Sequence, residues 1–133
     1  MLVALFYFMK KIIITNNDDL LKVHYKNTEI LLIDGQYMDV LIKARDMVHI
    51  GHILLSHPLC GSLKPNENPY KSILLSKDKA ISMDMDSLSI IESSIETAKK
   101  FPLKKDRVLR TNVLSDFKLI DRCLIESAIE SDV

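Results

Sequence analysis

Tryptophan is absent from this chain, and glycine, proline and cysteine are scarce, at three, four and two residues among 133. Neither Gly-x-Gly-x-x-Gly nor Gly-x4-Gly-Lys-Ser/Thr can be found, so nucleotide hydrolysis has no support and no cofactor is expected. The two cysteines, Cys60 and Cys123, lie far apart and form no Cys-x-x-Cys pair. With no secretion signal, they point to free thiols in a reducing, intracellular compartment. Net charge is also lacking: 18 Lys plus Arg balance 18 Asp plus Glu. That balance argues against general nucleic-acid binding or attachment to an anionic membrane. No apolar run is long enough for a membrane span, which needs about 20 residues. The apolar Met1 to Phe8 segment is followed, rather than preceded, by Lys10 and Lys11, the reverse of a signal peptide. One reading has translation starting at Met9, with residues 1–8 an upstream extension and 9–133 a single domain. The competing reading is a longer first strand from Leu2 to Thr15, broken at Lys10.

What is present suits a folded core: 47% hydrophobic and 27% charged residues, without low-complexity tracts. Ile12 to Thr15 reads as a β-branched strand that stops at Asn16-Asn17-Asp18-Asp19, residues suited to turns and helix caps. A brief helix, about Asp18 to Tyr25, precedes a second strand, Glu29 to Ile33, closed by Asp34-Gly35. From Gln36 the period becomes helical, with Tyr37, Val40, Leu41, Ala44, Met47 and Val48 on one side. Gly51 is read as the residue that ends this helix in a left-handed turn, which makes His52 to Ser56 a third strand. Ser72 to Ser76 is a fourth, either parallel or turned back beside the third as a wide hairpin. Asp84 or Asp86 caps a helix with a Leu88, Ile91, Ile95, Ala98 stripe that ends at Pro102. A linker, Leu103 to Leu114, leads to a last helix from about Ser115, with Phe117, Ile120, Cys123, Leu124 and Ser127 inward. The expected architecture is therefore α/β: a mostly parallel sheet of about four strands flanked by helices, with a C-terminal helical segment.

Between Ser56 and Ser72 the chain concentrates three of its four prolines with many polar side chains. Long irregular loops inside compact domains are uncommon and often carry binding or catalysis. If the first three strands are parallel, their C-terminal ends share an edge, where open α/β sheets bind ligands. Asn16, Asn17, Asp34, His57, Ser62, Lys64, Asn66 and Lys71 then converge, beside the N-termini of two helices, as a site for a small anion or an amino-acid-like ligand. The structural alternative is that Pro58, Pro65 and Pro69 stiffen a connection while Asn66 and Asn68 cap its turns. An enzymatic alternative, a transferase or hydrolase, makes His57 the acid/base with Cys60 or Ser62 as nucleophile. A third reading treats the loop as the contact of a homodimer.

Metal binding by His49, His52, His57 and Cys60 conflicts with geometry, because an extended 52–56 segment separates His52 from His57 by about 16 Å. The basic run from Lys99 to Arg110 reads as a solvated helix end and linker; the functional alternative is a docking patch for an acidic partner.

The order Thr15-Asn16-Asn17, Gly51-His52, Leu54-Leu55-Ser56-His57-Pro58-Leu59, Gly61-Ser62, Lys64-Pro65-Asn66-Glu67 and Pro69-Tyr70-Lys71-Ser72 resembles the GrdX family. The resemblance spans about residues 9 to 101, is strongest from Arg45 to Ser76, and weakens in the C-terminal helix. It implies a cytoplasmic accessory role beside the glycine, sarcosine or betaine reductase system of anaerobic amino-acid-fermenting bacteria, with components of that complex as partners. It implies no catalytic residues. The chain has no encoded selenocysteine and no redox-active thiol pair.

Overall fold

The structure is a computed structural model that describes residues 9–59, 68–101 and 111–131. Three strands, β1 (Lys11–Thr15), β2 (Thr28–Leu32) and β3 (Ser72–Ser76), form a sheet in the order β2-β1-β3. β1 and β2 are parallel, and β3 runs antiparallel to β1 with Thr15 opposite Ser72. A 3-10 turn (Asp18–Lys22) follows β1 in place of the expected brief helix. Helix α1 (Tyr37–His49) and helix α2 (Met85–Lys99) cover one face of the sheet; helix α3 (Thr111–Ser131) and Leu20 of the 3-10 turn cover the other.

Alternation along the strands divides the core between these faces. Ile12 and Ile14 of β1 meet the α1 and α2 side chains, whereas Ile13 packs with Leu20, Leu74 and Ile125. The predicted apolar stripes of α1 and α2 both lie in the first cluster, and Asp84 caps α2 by accepting from Ser87 N at 3.1 Å and Ser87 Oγ at 2.6 Å.

Gly51 ends α1 as expected. Its φ is +113°, and His52 N donates to Met47 O while Gly51 N donates to Val48 O, the paired bonds of a Schellman ending. The chain then leaves the helix directly into His52.

Two further expectations need correction. The sheet is mixed and three-stranded, not mostly parallel with four strands. Residues 52–56 run alongside β3, but only Leu54 forms a bridge, to Leu75. The reason lies in serine hydroxyls, two of which stand in for ladder carbonyls while a third takes the outward-facing Leu54 amide. Ile53 N donates to Ser76 Oγ, Leu54 N to Ser87 Oγ, and Leu74 N to Ser56 Oγ. The second correction concerns α3, which begins four residues before Ser115 and is turned differently: Asp121 and Ile125 are buried, whereas Ile120, Cys123 and Ser127 are exposed.

Candidate functional site

Because the Leu54 bridge to β3 is antiparallel, and β3 is antiparallel to β1, the 53–55 segment runs in the direction of β1 and β2. The C-terminal edge expected from the strand order therefore exists. It gathers Asn16 and Asn17, the Asp34-Gly35-Gln36 turn, residues 56–59, and the end of the loop at 68–71.

Asn16 is the joint of this edge. Its Nδ2 donates to Gly35 O at 3.2 Å and Pro69 O at 3.0 Å, and its Oδ1 accepts from Lys71 N at 2.8 Å. Asn17 is buried and its amide is spent on packing. Its Oδ1 accepts from Asp19 N at 3.1 Å, and its Nδ2 donates to Lys118 O and to Asp121 Oδ2, both at 3.0 Å. Asn68 ties the loop to α3, donating to Phe117 O and accepting from Tyr70 N. This is the turn-capping role that the structural alternative assigned to it.

Beneath the edge lies a buried ring of polar groups. Asn17 N donates to Thr15 Oγ1 at 2.9 Å, and Ser72 Oγ donates to Asp121 Oδ2 at 2.7 Å. Thr15 Oγ1 and Ser72 Oγ are 2.7 Å apart. The Ser72 proton is committed to the carboxylate, so Thr15 is the donor in that pair. Asp121 is only 5% exposed, and burial pushes its carboxyl above the usual range, opposed by the Ser72 and Asn17 bonds and the Lys71 charge. Lys71, expected at the ligand, thus contributes its charge to Asp121.

An open crevice of about 310 Å³ sits above this ring. Leu32 and Ile33 contribute apolar surface, while Asn16, Asp18, Asp34, Tyr70 and Lys118 contribute polar groups. Lys118 Nζ donates to Asp18 Oδ1 at 2.8 Å and lies 5.5 Å from the centre of the Tyr70 ring. The Lys118 bond holds the Asp18 carboxyl below its usual range, and the same bond raises Lys118. Asp34 is exposed and its side chain has no partner among the described residues. Two carboxylates and one ammonium face the space.

Both helix starts beside the crevice already engage a side-chain acceptor. Asp39 Oδ2 accepts from Gln36 N at 2.8 Å at the start of α1, and the 3-10 turn is capped by Asn17.

The described expectations thus separate. Asn16 and Asp34 line the crevice, while Asn17 and Lys71 lie with the Asp121 ring. His57 is exposed, and its Nδ1 accepts from Leu59 N at 3.1 Å. In the neutral ring the proton is then on Nε2, which faces a partner as a donor and not as a base. Ser62, Lys64, Asn66 and Cys60 lie outside the described residues. His52, 7% exposed, gives its Nδ1 proton to Ser76 O at 2.7 Å, and His49 Nε2 lies 3.8 Å from Glu92 Oε1. These three histidines are thus engaged with separate partners.

Asp121, Ser72, Tyr70 and Lys118 were missed by sequence reasoning. A signal for Asp121 was available: it is a lone carboxylate at helical spacing between Phe117 and Ile125.

The sequence profile described as GrdX-like protein matches residues 12–130. The chain belongs to the GrdX family. The match continues through α3, beyond the segment in which the resemblance is strongest, and covers Asp121 and Lys118. No curated protein and no solved structure matches the chain significantly.

Proposed function

We propose that this GrdX-family chain is a non-catalytic accessory protein of the glycine reductase system, cytoplasmic in location, that binds an amino-acid-like ligand in the crevice at the C-terminal sheet edge. The observation that carries this reading is the unpartnered Asp34 carboxylate beside an Asp18–Lys118 pair, over Leu32 and Ile33. A simple anion would meet two carboxylates there. A ligand carrying both an ammonium and a carboxylate can place the first at Asp34 and the second at Lys118, with the Tyr70 ring beside it. The crevice is at the small end of ligand pockets, which suits a molecule of glycine size.

The test is an amide NMR titration of the full chain with glycine, sarcosine, betaine and inorganic phosphate. Glycine or one of its N-methylated forms should shift the Asn16, Gly35 and Tyr70 amides saturably. Asp34→Asn should weaken that binding about tenfold while leaving the unfolding temperature unchanged. Absence of saturable shifts with all three amines, or undiminished affinity in Asp34→Asn, overturns the reading.

A further inference from the structure

The opposite edge of the sheet carries the opposite charge. Where β1 and β2 begin and β3 ends, a cleft of about 430 Å³ is lined by Lys10, Lys11, Lys77 and His24, with Glu29 as the one carboxylate. Three chain segments are fixed together there by backbone bonds. Lys11 N donates to Asn27 O at 2.8 Å, and Lys77 N donates to Lys10 O at 3.0 Å. Asn27, at φ +54°, takes the left-handed conformation that turns the chain into β2. Lys77 Nζ reaches Glu29 at 2.7 Å, so this pair spans the entry of β1 between its two neighbours.

The ammonium groups of Lys10 and Lys77 and an imidazole thus meet one carboxylate in a concave space, with the buried Lys11 beside them. The Lys11 residue is only 4% exposed, and the side chains of Lys10 and His24 have no partner among the described residues. Convergence of like charges raises the positive potential in a cleft with low-dielectric walls, and an entering dianion relieves that repulsion. In a chain of zero net charge, this concentration at one edge contrasts with the carboxylate excess at the other.

We infer that the cleft at the N-terminal edge of the sheet is an anion site for a phosphate group carried by a small molecule. Its volume leaves room for the remainder of a phosphate monoester beside the phosphate itself. Lys10 and Lys77 make charge-assisted contacts, and His24 contributes a further donor.

Titration of the full chain with inorganic phosphate and with glycerol phosphate, read by amide NMR, tests this. Saturable shifts are expected at Lys10, Lys11, Asn27, Thr28 and Lys77, with the monoester binding more tightly if the rest of the cleft is used. Equal affinity for the two would place free phosphate in the site and overturn the monoester assignment. Lys10→Glu and Lys77→Gln should each weaken binding about tenfold, and Lys43→Glu on the outer side of α1 should change nothing. No saturable shift at millimolar phosphate, shifts scattered over surface lysines, or undiminished binding in both cleft variants overturns the site. Its amides do not overlap Asn16, Gly35 and Tyr70, so success or failure here is distinguishable from the result at the amino-acid crevice.

Discussion

Replacing Asn16 separates a structural joint from a ligand contact. Its side chain makes three hydrogen bonds, at 3.2, 3.0 and 2.8 Å, to Gly35 O, Pro69 O and Lys71 N. Each neutral bond contributes about 1 kcal/mol net, and the partners are partly exposed, so Asn16→Ala should cost about 2–3 kcal/mol. Asn16→Asp is more diagnostic. It preserves the acceptor for Lys71 N but turns a carboxylate oxygen toward two carbonyl oxygens, so at neutral pH it should be at least as destabilising as Asn16→Ala. Below the carboxyl pKa the protonated group can donate again, and about 1 kcal/mol should return. Urea unfolding across pH measures the energies; hydrogen exchange at Lys71 measures the joint itself. The Lys71 amide should lose protection in Asn16→Ala and keep more of it in Asn16→Asp. If Asn16→Asp lies within about 0.5 kcal/mol of the parent, or Asn16→Ala lowers glycine affinity with no loss of stability, the joint reasoning fails.

Asp121→Asn should alter the pH dependence of folding. Burial raises the native Asp121 carboxyl above its ordinary value of 3.8, so the native state retains a proton that the unfolded chain has released. Its contribution to stability is full below the unfolded value and is lost as pH rises through the native one. The unfolding free energy of the parent minus that of Asp121→Asn should therefore fall across this window and then level. A flat or rising difference would contradict the assigned direction. Gly51→Ala should cost about 2 kcal/mol or more in urea unfolding, because it combines φ +113° with a Cβ placed 2.8 Å from Ala80 O; a loss below about 0.5 kcal/mol would show that the turn relaxes freely.

Local physics made much of the frame legible. Short apolar runs located β1, β2 and β3 within a residue, periodicity identified the buried side of α1, and Gly51 and Asp84 marked helix boundaries through backbone conformation and capping. Pairing was less accessible, because strand direction depends on partners distant in the chain. The 52–56 segment has strand-like residues, yet its Ile53 and Leu54 amides go to the Ser76 and Ser87 hydroxyls, and Leu55 N alone reaches a β3 carbonyl. The orientation of α3 was hidden for a related reason: a buried aspartate violates the apolar pattern until Asn17 and Ser72 supply its donors. Strand order pointed to the edge at which this crevice lies, but residue type could not tell a crevice group such as Asp34 from a packing group such as Asn17. Both are polar turn residues, and only their tertiary partners distinguish them.

The serine-bonded segment beside β3 also bears on how copies of the chain meet. An ordinary final strand would offer a regular row of amides and carbonyls to a second molecule, the template on which sheets join and aggregate. Here Ile53 and Leu54 give their amides to hydroxyls of Ser76 and Ser87, leaving one isolated bridge where a full ladder would stand. On the far side, Glu29 of β2 is held by Lys77, which puts paired charge along that edge. The sheet is thus interrupted on one flank and charged on the other, so growth into a continuous intermolecular sheet is discouraged.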